Sequence, residues 1–391
     1  MITELSKILF WLCLLIVIYP WFFYPALLYL FSRFLNNSNK NKTQSYNEDE
    51  KPIVSIIVAA FNEEKVIGRR IENLLLQDYP KDKLEIVVAS DGSTDRTVEI
   101  ARQYEKFGVK VLDFKENRGK ASVHNDSISV AKGEIIVLTD ADSEFKKDFV
   151  KKIVLPFSDP KVGCAVGNLV YRSHGSYVAD TESLYYNRLE FRLKDLENKL
   201  GILANGTGAC MAIRKKLFKP LTPVDDTDTA TVIDIILQGY RVVFVKDAIA
   251  YDIPPHSLRS ELQVKIRGVS KTLMSLSRRM NLKEWYKHPF LIWNLLSHRI
   301  FRYLTPYFMV AAFILNLCLL KEGLLYQIIF ITQIAFYSLI VLGLVGECFR
   351  KGIPIASVAF SFSVALLGMM VGVAVAIMGK APTSHKTDDG I

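Results

Sequence analysis

Glu134-Ile135-Ile136-Val137-Leu138-Thr139-Asp140-Ala141-Asp142 is a short apolar run, rich in β-branched residues, that stops at two carboxylates one residue apart. Such a run reads as a strand buried on both faces. In an open α/β sheet, ligands bind at the carboxyl ends of the strands. Two acids at that edge, with Thr139 beside them, suit a hard divalent cation, Mg²⁺ or Mn²⁺, held by oxygen and shared with a phosphate. The same residues also read as a polar turn in which Asp142 caps the next helix.

Upstream, from Pro52 onward, strands and helices alternate. Strands are predicted at 53–60, 84–89 and 109–112. Helices are predicted at 64–77, at 94–107 behind a Ser93/Thr94 cap, and at 120–131. Repeated βα units predict an α/β domain with a mostly parallel, Rossmann-like sheet and helices on both faces. The common phosphate cradles are missing. No Gly-x-Gly-x-x-Gly follows the first strand, and Arg118-Gly119-Lys120 lacks the upstream glycine of a Walker loop. That leaves a metal to hold any diphosphate. Downstream come a strand at 162–167, a charged amphipathic helix at 181–200, and the glycine loop Asn205-Gly206-Thr207-Gly208-Ala209-Cys210, where a ligand can approach the backbone. The acidic cluster Asp225-Asp226-Thr227-Asp228 precedes a helix at 230–238 and a strand at 240–245. A strongly basic helix at 257–280 carries Arg259, Lys265, Arg267, Lys271, Arg278 and Arg279.

The chain of 391 residues is 50% hydrophobic and 23% charged, with a mean hydropathy of +0.20. That balance implies a soluble domain joined to membrane segments. Residues 8–34 are long enough to cross a bilayer and too long for the apolar part of a cleavable signal peptide; Pro20 and Pro25 predict a kink there. Runs at 303–320, 324–345 and 353–378 are also long enough to span. The expected order is a transmembrane helix at 1–35, a cytoplasmic linker at 36–51 and a catalytic domain at 52–256. Basic amphipathic, interfacial helices follow at 257–300, then three transmembrane helices at 301–378 and a tail at 379–391. Arg350 and Lys351, between the last two spans, place the catalytic domain in the cytoplasm of a plasma-membrane protein with both termini outside. The net charge of +9 comes without a basic-aromatic module for nucleic acid, so it is read as membrane-proximal. Five scattered cysteines without metal-ligand spacing agree with a reducing compartment.

Taken in order, Val54-Ser55-Ile56-Ile57-Val58-Ala59-Ala60-Phe61-Asn62-Glu63-Glu64, Ser90-Asp91-Gly92-Ser93-Thr94-Asp95, Asn117-Arg118-Gly119-Lys120 and Asp140-Ala141-Asp142 closely resemble the nucleotide-binding half of family 2 glycosyltransferases of the GT-A fold. The loop Gly206-Thr207-Gly208-Ala209-Cys210, the acidic cluster and Gly239-Tyr240-Arg241-Val242-Val243 resemble the acceptor half. The spans resemble those of the membrane-integral members, the group that includes cellulose, chitin and hyaluronan synthases.

The resemblance implies a metal-dependent inverting glycosyltransferase. Its donor would be a nucleoside-diphosphate sugar, UDP-linked by expectation, and its acceptor lipid-linked or a surface polysaccharide, with membrane lipids as further partners and no nucleic acid. Ala60, Phe61, Glu63 and Asp91 would hold the nucleoside, and Lys120 the nucleotide. Asp140 would meet the ribose or the metal, and Asp142 would ligate the Mg²⁺ or Mn²⁺ that bridges the diphosphate. Counting back from Gly239 places the catalytic base at Asp228, with Asp226 as the alternative; these acids also suit the positive end of the following helix. Gly206, Thr207 and Gly208 would line the acceptor and diphosphate side. The processive synthases carry Gln-x-x-Arg-Trp, and this chain has Gln263-Val264-Lys265-Ile266-Arg267-Gly268 without the tryptophan. Lys265 and Arg267 remain as cations suited to a diphosphate, and addition of single sugars is expected over long-chain synthesis. Two other readings stand beside this one. The first is a polyprenyl-phosphate glycosyltransferase. The second is a non-catalytic nucleotide-sensing transporter or scaffold, which the lack of an intramembrane acid before Glu347 disfavours.

Overall fold

Val/Ile-rich runs pair side by side because the central ones are apolar on both faces and find helices to cover them. The computed structural model describes residues 2–34, 50–172, 185–253, 258–281, 285–349 and 353–380. In it β1 (Val54–Ala60), β2 (Leu84–Asp91), β3 (Val109–Phe114) and β4 (Ile135–Asp140) form a parallel array in the order β3-β2-β1-β4. Helices Ile67–Leu75 and Phe149–Val154 pack on one face of the sheet, and Lys120–Val130 and Thr227–Leu237 on the other.

The second half extends the same sheet. Its strands are β5 (Glu144–Phe145), β6 (Val162–Tyr171), β7 (Met211–Arg214) and β8 (Arg241–Asp252). β7 lies antiparallel between β4 and β6, β8 runs parallel to β6, and β5 closes the edge antiparallel to β8. The mixed, mostly parallel α/β sheet expected from the βα repeats is therefore present, with eight strands. The two strands that the sequence pattern did not announce, β5 and β7, have two and four residues, too few for an alternation to register. The helix expected at 94–107 is Thr97–Arg102, and its opening bond comes from Asp95 rather than from Ser93 or Thr94. Asp95 Oδ1 accepts the Thr97 N–H at 3.0 Å. β8 runs on to Asp252, seven residues past the expected end.

Among the described residues, four helices are long and apolar enough to cross a membrane: Thr3–Phe34, Pro289–Leu319, Leu324–Cys348 and Pro354–Ile377. The kink expected at the two prolines is a π-helical segment, Tyr19–Phe23. The second apolar stretch begins well before residue 303, because His298 and Arg302, which interrupt the hydropathy, are buried by polar partners. The basic helix is Leu258–Arg279, and it packs along the last spanning helix. Leu262 and Lys265 lie against Gly368, and Ile266 and Val269 against Gly372. Residue 35 of the expected first helix, residues 36–49 of the expected linker, the Arg350 and Lys351 pair, and the tail from 381 lie outside the described residues.

Candidate active site

β1, β2 and β4 end together, so Ala60, Asp91 and Asp140 share one edge of the sheet. Asn62 takes a φ of +57°, the left-handed region that asparagine tolerates better than most residues. The turn after β1 can then fold over the turn after β2. Asn62 Oδ1 accepts the Thr94 N–H (2.8 Å), Thr97 Oγ1 the Glu63 N–H (2.7 Å) and Asp95 Oδ2 the Glu64 N–H (3.0 Å). Ala60 is buried, whereas Phe61 and Glu63 are half-buried at the rim. Asp91 is buried and accepts the backbone N–H groups of Arg118 (2.9 Å) and Gly119 (2.8 Å). It thereby fixes the turn that delivers Lys120.

Past β4 the carboxylates accumulate. Lys120 Nζ donates to Asp140 Oδ1. Burial works against the lysine charge, and Asp140, Asp228 and Asp142 together outweigh it, so the Lys120 pKa lies above the ordinary value. Asp142 is pushed up by burial and then by Asp140. Burial, then Asp142 and Asp140, raise Glu63 to about 7. β5 follows Asp142 directly and pairs with the end of β8, which brings Asp252 into the group. Burial and then Asp142 raise the Asp252 pKa to about 8. Beneath them lies Arg70, only 2% exposed. Its Nη2 donates to Thr139 Oγ1 (2.5 Å) and its Nη1 to Asn73 Oδ1 (2.8 Å), and its guanidinium covers the Phe145 ring at 4.2 Å. Burial lowers it to about 9 against the pull of Asp140, Asp142 and Asp252. Arg70 and Asp252 escaped the sequence reading, although Arg70 shares the buried helix face of Ile67, Ile71 and Leu74.

Among the described residues no three His, Cys, Asp or Glu side chains gather as a metal cage. The donor set nonetheless fits a hard divalent cation. Such ions are commonly held by one or two carboxylates together with substrate phosphates. Asp142, Asp252 and Glu63 are raised by burial first and by the neighbouring carboxylates second, a cost that a cation between them would lower.

Across Lys120 from this group stands Asp228, in the first turn of helix Thr227–Leu237. Its Oδ2 accepts the Gly208 N–H (2.7 Å) and its Oδ1 the Thr227 hydroxyl (3.0 Å). The glycines of the loop are explained here. A Cβ at Gly208 would collide with the Asp228 carboxylate, and one at Gly206 would come within 2.8 Å of the Asp228 carbonyl oxygen. The close approach expected of a ligand is thus made by Asp228, while Thr207 Oγ1 accepts from Lys194 Nζ (2.8 Å). Burial and then Asp226 raise the Asp228 pKa. Gly208→Ala is accordingly expected to cut kcat about 100-fold, the usual cost of an ångström-scale misplacement, with little change in donor KM. An unchanged kcat would remove the loop from the catalytic geometry.

The neighbouring acids are already engaged. Asp226 Oδ2 accepts the Thr272 hydroxyl (2.9 Å) and that of Thr229. Asp225 Oδ1 accepts from Arg279 Nη1 (2.8 Å). Of the two cations expected at the diphosphate, Arg267 faces the site. Burial lowers its pKa against Asp140 and Asp226. Lys265 is turned to the other side of the helix, with its Cβ against Gly368. Its companion is Lys271, one turn beyond Arg267, lowered by burial and then by Arg267, with Asp226 opposing.

A mostly parallel sheet with a carboxylate-rich strand edge, a lysine on that edge and a second acid at a helix start across from it defines a GT-A-type domain, here joined to four helices of membrane-spanning length. Residues 55–222 match the family described as glycosyl transferase family 2. A poly-beta-1,6-N-acetyl-D-glucosamine synthase of Staphylococcus aureus is 26% identical over 233 residues, 58% of this chain and 56% of that protein. A Bacillus subtilis protein described as "Probable glycosyltransferase YdaM" is 30% identical over 222 residues, 54% of this chain and 53% of the other. The chain thus spans just over half the length of the curated relatives it matches. Among solved structures, the mannosyltransferase PcManGT of Pyrobaculum calidifontis, in complex with GDP-Man and Mn²⁺, has the same fold. Its TM-score is 0.70 at 20% identity, over 96% of this chain and 99% of that one.

Proposed function

We propose that the chain transfers a sugar, with inversion, from a UDP-linked donor to a polysaccharide or lipid-linked acceptor at the cytoplasmic face of the plasma membrane. The observation that carries this reading is Lys120, whose charge is held by Asp140 and Asp142 on the donor side and by Asp228 on the other. One cation shared by both carboxylate groups makes them walls of a single site.

The turn of Ala60, Phe61 and Glu63, with Asp91 behind it, receives the nucleoside. Lys120, Arg267 and Lys271 face the diphosphate. Asp142 and Asp140 would hold a divalent cation, which would supply charge neutralisation for the leaving diphosphate, and the complex of the mannosyltransferase of the same fold with GDP-Man and Mn²⁺ supports that assignment. Asp228 takes the proton from the acceptor hydroxyl as its oxygen attacks the anomeric carbon; Asp226 is the alternative base. The polysaccharide-synthase relative supports a polysaccharide acceptor.

A second reading, with lipid phosphate as the acceptor, draws on one feature. An apolar cavity of about 340 Å³ opens between Leu273 and Met274 of the basic helix, Tyr303 and Leu304 of the second span, and Val373 and Ile377 of the last. Its product would be labile to mild acid. Membranes carrying the protein, incubated with Mn²⁺ and a panel that includes UDP-N-acetylglucosamine and GDP-mannose, should yield a lipid-linked or polymeric product, and its mass separates the two readings. A panel in which no donor is consumed would overturn both.

A further inference from the structure

The Asp228 carboxylate is gripped from two sides, by the loop that begins at Asn205 and by the helix that Asp226 opens. One side chain from the membrane helices reaches both. Arg299 Nε donates to Asn205 Oδ1 (2.6 Å), and Arg299 Nη1 donates to Thr272 Oγ1 (3.4 Å), whose hydroxyl in turn donates to Asp226 Oδ2 (2.9 Å). Nη1 also lies 3.4 Å from Tyr303 Oη.

Arg299 sits in the π-helical segment Leu295–Ile300, where the chain enters the long helix of the second span. Such wide turns are rare and concentrate at functional sites. The segment is also anchored. His298 is buried between Glu190 (Nε2, 2.8 Å) and Glu197 (Nδ1, 2.6 Å), and Glu197 Oε1 accepts the Tyr24 hydroxyl (2.7 Å) from the first span. Buried ion pairs of this kind add little net stability compared with apolar packing, and ionisable groups within spanning helices are kept for function more often than for structure. The anchored element ends, through Arg299, on both supports of the base.

We propose that Arg299 is a positioning residue that sets the spacing between the glycine loop and the Asp226–Asp228 turn, so that the base is aligned by the packing of the membrane helices. This rests on the glycosyltransferase reading, in which Asp228 is the base. It adds that catalytic geometry is imposed from the root of the second span.

The test uses the full chain reconstituted in lipid, with kcat and KM measured for the donor that the panel selects and binding of UDP in Mn²⁺ measured directly. Arg299→Gln should lower kcat about 100-fold and leave UDP affinity within about twofold, a split that general loss of structure does not produce. Arg299→Lys should recover part of the rate, since an ammonium can serve one of the two partners. Thr272→Val, close in shape, and Asn205→Ala should each lower kcat about tenfold, and either combined with Arg299→Gln should do little more than Arg299→Gln alone, because residues acting through one contact are not additive. If Arg299→Gln does not fold, Thr272→Val and Asn205→Ala carry the test, and near-wild-type kcat in both overturns the proposal. Multiplicative effects in the double variants also overturn it. A wild type that turns over no donor defeats the glycosyltransferase reading itself; an active wild type with indifferent variants defeats only the role of Arg299.

Discussion

Asp228→Asn should bind UDP in Mn²⁺ as the wild type does and transfer sugar about a thousandfold more slowly, within the range that general-base removal costs. The substitution keeps the shape of the side chain, and its amide oxygen can still accept the Gly208 N–H that the carboxylate accepts now. What it removes is the proton acceptor. The choice of Asp228 over its neighbours follows from Lys120, whose charge Asp228 helps to hold together with Asp140 and Asp142. Asp225, by contrast, is committed to Arg279, and Asp226 accepts the hydroxyls of Thr229 and Thr272 on its Oδ2. A pH profile adds a second reading of the same residue. Burial and then Asp226 hold the Asp228 pKa above the ordinary carboxylate value. The base is active only when deprotonated, so wild-type kcat/KM should fall as pH drops through that raised value, earlier than for a solvent-exposed aspartate. Activity retained in Asp228→Asn would move the base to Asp226.

Which parts of this site were legible depended on how locally each was encoded. β1, β2 and β4 were legible because a strand buried on both faces leaves an apolar run, and Asp140 and Asp142 were legible because they end one. β5 and β7 have no run of their own and exist through pairing with β8 and with β4 and β6. Asp252 enters the carboxylate group only through the pairing of β5, so nothing near it in the chain announces it. Arg70 looks like the second of two surface arginines until its spacing from Ile67 and Leu74 places it on the buried stripe. Lys265 and Arg267 are two residues apart, about 200° around a helix, so they could not both face the diphosphate; Lys271, four residues after Arg267, shares its side. His298, Arg299 and Arg302 read as the polar end of a span because hydropathy counts a charge as exposed. Their partners, Glu190, Glu197, Asn205 and Thr272, come from distant parts of the chain.

Asp142→Ala should abolish transfer and Mn²⁺-dependent UDP binding while making the cation-free protein more stable at alkaline pH. The first half follows from Asp142 being the carboxylate just past β4 that Lys120 does not bond directly, and so the one most available to an ion; losing charge neutralisation at the diphosphate costs several kcal/mol of transition-state stabilisation. The second half follows from linkage. Glu63 at about 7, Asp252 at about 8 and Asp142, also raised, all have folded pKa values above those of the unfolded chain. Between the two values the native state binds more protons than the unfolded one. Stability is therefore full below the unfolded carboxylate range and is lost as pH rises through the folded values. Removing Asp142 deletes the charge that acts first, after burial, on Asp252 and on Glu63. In chelator at pH 8 the variant should melt above the wild type, and the gap should close as the pH approaches 4. Adding Mn²⁺ with UDP should raise the melting temperature of the wild type by mass action and leave the variant unmoved. A variant that binds Mn²⁺ and UDP as tightly as the wild type would dispose of Asp142 as a metal ligand. One that melts below the wild type in chelator at pH 8 would mean that the carboxylates at the strand edge do not repel one another, and with that the case for a cation between them would lose its physical basis.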